Sequence, residues 1–186
     1  SRSERCVSLP KVQIKLDSAD DLREYGFVGF RTTVQLREED CMSIPSDSGA
    51  WVVLREWTTP PKFMPKSSAG IWRRQSPTVS PEELAAKWVE DACVLYIGHA
   101  PGPGVRNRLQ QRIKRFIRFG TGKAVAHWSG RYIWQLSGAA ALRFAWYPCD
   151  KRDSDPLVNR MFKAFDERYG TLPFANLEME EQEFEE

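Results

Sequence analysis

Between Ala92 and Cys149 the chain carries no aspartate or glutamate, yet it holds Arg106, Arg108, Arg112, Lys114, Arg115, Arg118, Lys123, Arg131 and Arg143. Both histidines, His99 and His127, lie in the same stretch. Cationic side chains concentrated without acidic neighbours make a surface suited to a polyanion such as nucleic acid. An imidazole with a solution pKa of about 6.5 adds a group able to shuttle a proton or bind phosphate. Just ahead of the basic residues, Val94-Leu95-Tyr96-Ile97-Gly98 is an apolar run that breaks at glycine, with a phenol in its centre. Plainer readings stand beside these: a solvated helix face, a core tyrosine, a satisfied structural histidine. Arg131 either pairs with phosphate or anchors an acidic residue of another segment.

The whole-chain balance hides this segregation. The net charge is +2, but six glutamates fall in the last nine residues, and setting those six aside leaves +8 on the remainder. A chain of 186 residues is long enough to bury a substantial core in one domain. No apolar run approaches the ~20 residues that cross a bilayer, so no membrane partner is expected. No apolar segment follows Ser1-Arg2-Ser3-Glu4-Arg5, so no signal peptide is expected either. Cys6, Cys41, Cys93 and Cys149 are far apart and form no C-x-x-C pair. That spacing argues against zinc and for reduced thiols in the cytoplasm, with Cys93 in a buried strand.

The elements that must position these groups follow from pattern and punctuation. A short helix is expected around Asp20 to Tyr25, then a loop or short strand over Gly26 to Phe30. Pro45 to Gly49 is a turn, and Ala50 to Leu54 a strand rich in β-branched and aromatic residues. Thr58 to Ser80 holds four prolines and is expected to be irregular. Its Lys62, Lys66, Arg73 and Arg74 stand beside Phe63 and Trp72; they either contact nucleic acid or belong to an insertion that packs its own aromatics. Ser80-Pro81-Glu82-Glu83 opens a helix to about Asp91 with a capping box. Ala92 to Ile97 is a strand, Pro101 to Gly104 a loop, and Val105 to Phe119 a helix with apolar residues at spacings of three and four. His127 to Leu136 is ambiguous between helix and strand, and Leu142 to Trp146 is a strand. Asp155 caps the last helix, Pro156 sits in its first turn and Gly170 stops it.

The motifs Val94-Leu95-Tyr96-Ile97-Gly98, Arg118-Phe119-Gly120, Gly130 to Leu136 and Tyr169-Gly170-Thr171-Leu172-Pro173-Phe174-Ala175-Asn176, in that order, resemble the GIY-YIG nuclease superfamily, most closely its bacterial GIY-YIG-like members. The resemblance spans about Gly49 to Asn176. It implies an α+β fold, a small antiparallel sheet flanked by helices, with a long insertion (58–91) between the first two strands. Residues 1–48 are then an N-terminal extension packed on the domain, and 177–186 an acidic, disordered tail.

The resemblance also implies roles. Tyr96 stands at the second strand tyrosine, which orients the attacking water. Arg112 is the helix arginine that stabilises the phosphorane, with Arg108 one turn earlier as the rival assignment. His99 occupies a position that is often lysine, and Asn176 is the closing asparagine that supports the site by hydrogen bonding. Arg108, Lys114, Arg115, Arg118, His127 and Arg131 are expected to contact nucleic acid, with DNA the expected partner. Such a nuclease uses Mg²⁺ or Mn²⁺ on a glutamate of the last helix. Two departures count against hydrolysis. Trp51 stands where the first tyrosine belongs, and indole has no ionisable hydroxyl. Val158, followed by Asn159, stands where the glutamate belongs, leaving Asp155 as the fallback metal ligand; Glu167 falls off that face. Two functions follow: a metal-dependent endonuclease, or a catalytically degenerate domain that binds nucleic acid or a protein.

Overall fold

The computed structural model describes residues 8–124 and 127–177. Four antiparallel strands, β1 (Val28–Thr32), β2 (Ser48–Leu54), β3 (Val94–Ala100) and β4 (Arg143–Cys149), form one sheet in the order β1-β4-β2-β3. β2 lies between β4 and β3 and is buried along nearly its whole length. Both of its faces are covered, so its sequence has no solvent side to alternate toward and reads as a continuous apolar run.

Strand parity divides the core in two. Trp51, Val53 and Tyr96 face α4 (Leu109–Phe119) and the turns that follow it, meeting Ile113, Phe116 and Trp134. Ala50, Val52 and Ile97 face α5 (Lys151–Tyr169), meeting Leu157, Val158, Met161 and Phe165. The result is α+β, a small antiparallel sheet with helices on both faces.

Residues 8–48 contribute to the sheet as well as covering it. α1 (Ala19–Tyr25) is capped by Ser18, whose Oγ accepts from Asp21 N at 3.1 Å. β1 adds an edge strand against β4, and α2 (Thr33–Glu38) opens on a capping box between Thr32 and Gln35. Ile14, Leu16, Leu22 and Phe27 join the core on the α5 side.

Several element boundaries differ from expectation. α3 (Pro81–Lys87) ends at Trp88; Ser80 Oγ accepts from Glu83 N, but the return bond of a capping box is absent. The basic helix does not start at Val105. A short 3₁₀ turn, Val105–Asn107, opens after Gly104 (φ +93°), and an extended Arg108 separates it from α4. The first two amides of α4 then donate to the carbonyls of Asp47 and Pro45, tying the helix to the turn before β2. Within residues 128–135 the ambiguous segment forms two consecutive short 3₁₀ helices, Trp128–Arg131 and Ile133–Gln135, not a strand.

α5 carries the largest correction. It begins at Lys151, and Asp150 is its cap, accepting from Arg152 N at 3.0 Å. Asp155 is therefore inside the helix, exposed, and caps nothing. The expected tail, except Leu177, lies outside the described residues. Among the described residues no helix is long and apolar enough to cross a membrane.

Candidate functional site

Tyr96 sits in an aromatic nest on the α4 side of β3. Its ring centroid is 5.1 Å from those of Trp51 and Phe116 and 6.1 Å from that of His127. Tyr96 is 6 % exposed, and Ser129 Oγ donates to its hydroxyl at 3.4 Å. Trp51, the residue that departs from the tyrosine pattern, pairs across strands with Gly98, and a Cβ on Gly98 would collide with its indole. The glycine that breaks the apolar run is thus the space into which Trp51 packs. His127, 3 % exposed, lies against Trp51, Tyr96 and Phe116, with its ring centroid 4.7 Å from that of Phe116. It belongs to the core, not to an exposed phosphate-binding surface.

His99 faces the opposite side of the sheet, because three residues along a strand reverse the face. Its Nε2 is 3.1 Å from Ser154 Oγ on α5. The Ser154 hydroxyl donates to Lys151 O at 2.9 Å, so its oxygen accepts from His99 Nε2–H and neutral His99 carries its lone pair on Nδ1. Burial holds the imidazole pKa below its ordinary value; Asp155 raises it in partial opposition and Arg112 lowers it further. Asp155 on α5 and Arg112 on α4 thus both act electrostatically on His99 near the C-terminal end of β3. Arg112, half-buried, donates from Nη2 to Asn107 Oδ1 at 2.9 Å, while its Nε makes no hydrogen bond. Its restraint is a neutral amide oxygen, which leaves the guanidinium charge available to an anion.

Asn176 has a defined task. Its Oδ1 accepts from Ile97 N at 2.8 Å and its Nδ2 donates to Ile97 O at 3.0 Å, while Ala175 N donates to Leu95 O. β3 is an edge strand, and this side chain satisfies its outward polar groups as another strand would. Gln135 does the same for the insertion: its amide accepts from Val79 N at 2.8 Å and donates to the carbonyls of Val79 and Met64. Gln135 is fully buried; in the sequence only its place in an apolar stretch marks it.

The remaining basic residues separate into two groups. Arg118 is exposed and Arg108 and Arg115 are half-buried along α4 or at its start. Lys114, also half-buried, pairs with Asp40 at 2.9 Å. Arg131 is 7 % exposed, donates from Nη1 to Trp128 O at 3.1 Å and lies over the Trp128 and Tyr132 rings. That environment is a structural anchor and does not offer the charge to a surface phosphate.

The carboxylate expected on the last helix for a divalent metal is missing from its position. Val158, on the buried face of α5, is 6 % exposed in the apolar core. Among the described residues no group of three or more His, Cys, Asp or Glu converges on a point, and hard cations require several oxygen ligands. Burial, the leading cause in each case, pushes the Cys41 thiol up to about 11 and those of Cys93 and Cys149 up to about 12, so all three stay protonated at neutral pH. Cys6 lies outside the described residues. Comparison with family models, characterised proteins and solved structures finds no match to this chain.

Proposed function

We propose that this chain is a GIY-YIG-like nucleic-acid-binding domain, with DNA as its partner, that has lost the metal-dependent hydrolytic centre. The observation that carries this reading is the acid-free segment around α4. It presents Arg106, Arg118 and Lys123 exposed and Arg108 and Arg112 half-buried, with Arg112 bonded only to the Asn107 amide. Such a surface neutralises backbone phosphates and releases counterions, which makes binding strongly salt-dependent. The aromatic nest around Tyr96 supplies a rigid floor for α4, and Asn176 fixes the edge of β3 beside it.

The second reading, a phosphodiester hydrolase requiring Mg²⁺ or Mn²⁺, draws on one observation: the Asp155 carboxylate and the Arg112 guanidinium both act on His99. Among the described residues no group of three or more metal-ligating side chains forms there. Both readings are tested by incubating the protein with supercoiled plasmid and either cation, beside an Arg112→Ala variant. The expected outcome is salt-sensitive retention of DNA, weakened in Arg112→Ala, without nicking. Metal-dependent nicking that Asp155→Asn abolishes would establish the hydrolase. Absence of retention even at low salt would remove the nucleic-acid reading.

A further inference from the structure

From Thr58 to Pro81 the insertion, like the α4 segment, contains no aspartate or glutamate. The two acid-free stretches dock on one another. Gly70 N donates to Phe119 O at 3.1 Å, and Ser68 N donates to Trp134 O at 2.9 Å. A Cβ on Gly70 would collide with the Lys123 carbonyl, so the chain passes directly over the C-terminal end of α4. Exposed Lys66, Arg73 and Arg74 thereby extend the surface that carries exposed Arg118 and Lys123.

The conformation of Arg73 and Arg74 is the informative part. Trp72 and Gln75 exchange both backbone hydrogen bonds, at 3.1 and 2.8 Å, closing a two-residue hairpin with the two arginines at its corners. Both corners have positive φ, 47° at Arg73 and 66° at Arg74. Asparagine followed by glycine fills this turn with little strain, whereas two long side chains with Cβ atoms occupy it at a cost. Strain of this kind persists where the side chains it displays have a task. The aromatic at the tip does not present itself for base stacking: Trp72 is half-buried, and the Arg73 guanidinium lies 5.5 Å from its ring centroid. What the tip offers is two adjacent guanidinium groups, which suit backbone phosphates.

We propose that the Arg73–Arg74 hairpin tip is a phosphate-gripping finger that carries duplex DNA contact from α4 onto the insertion. The proposal rests on the nucleic-acid reading above. The test measures duplex DNA binding by fluorescence anisotropy across a KCl series, with thermal melts in parallel. It compares the unaltered chain, an Arg73→Asn/Arg74→Gly double variant and an Arg73→Lys/Arg74→Lys double variant. The Asn-Gly variant relieves the backbone and is expected to melt at a higher temperature than the unaltered chain. Its log–log salt slope is expected to fall by about 1.8, with affinity about 60-fold weaker at 0.1 M salt, as two lost phosphate contacts require. The Lys variant is expected to keep the slope. If the unaltered chain binds and the Asn-Gly variant matches its slope and affinity, the finger is wrong and the nucleic-acid reading survives. If the Asn-Gly variant melts lower, the arginines serve the fold and the proposal fails. If the unaltered chain shows no salt-sensitive binding, the nucleic-acid reading falls and takes the finger with it.

Discussion

His99 is held between groups that pull its protonation in opposite directions. Burial and Arg112 favour the neutral ring, Asp155 favours the charged one, and burial is the largest influence. The Ser154 hydroxyl, committed to the Lys151 carbonyl, accepts from Nε2. A native pKa below the unfolded value of 6.5 means that the unfolded chain takes up the proton first as pH falls. The resulting contribution is constant above about pH 6.5, declines as pH falls toward the native pKa, and is flat again below it. A urea-denaturation series should therefore show the unaltered chain losing more stability between pH 7.5 and pH 5 than His99→Gln does. Equal losses would mean that His99 is not desolvated as described. At this scale much of the nest was legible. Tyr96, Gly98 and Asn176 stood out by type and spacing, but the reason for Gly98 was not visible, because the Trp51 indole that fills its place comes from 47 residues earlier in the chain. For Arg131 and His127 the sequence leaves phosphate contact and a structural place both open, because charge says nothing about which side of a turn a side chain takes. The backbone-clamping task of Gln135 depends on a partner, Val79, brought in by the insertion.

Elements whose boundaries are set by local chemistry were readable where only one signal competed. Ser80-Pro81 marks the start of α3 and Gly170, at φ +72°, marks the end of α5. The sequence places the start of α5 at Asp155-Pro156, because rules for the first helical turn favour proline there, which lacks an N–H to donate. The structure starts the helix five residues earlier, which places Ser154 beneath His99 and lets Asp150 bond Arg152 N. Pro156 is then carried inside the helix. The choice makes a sharp comparison. Asp150→Ala should destabilise the fold by about 1 kcal/mol, as loss of a helix cap does, while Asp155→Ala, exposed and uncapping, should change it by less than about 0.5 kcal/mol. Thermal or urea melts of the two variants decide it, and the reverse order would restore Asp155 as the cap.

The whole molecule is organised around a sheet whose two edges are treated differently. The β3 edge is closed by the chain near its end, through the Ala175 amide and the Asn176 side chain. The other edge is β1, and without it β4 would present its own outward polar groups to solvent. Residues 8–48 thus supply an edge strand, and Leu16, Leu22 and Phe27 cover the same core layer as Leu157, Met161 and Phe165. This was the least legible part of the fold. Gly26 to Phe30 reads as a loop or a short strand, with too little alternation to decide between them, and its partner β4 lies more than 100 residues away. The consequence concerns the unit that can fold. If residues 49–177 were self-sufficient, a chain beginning at Gly49 would melt cooperatively as a monomer. The geometry predicts otherwise. Truncation bares the β4 edge together with the apolar surface now under Leu16, Leu22 and Phe27, and the freed edge is a template for pairing with a second copy. The truncated chain should therefore be insoluble or self-associate on size exclusion, while the full chain at the same concentration does not. Adding residues 8–48 as a separate peptide should shift it back toward the one-to-one species. A stable, monomeric 49–177 fragment would show that the first segment merely decorates a complete domain.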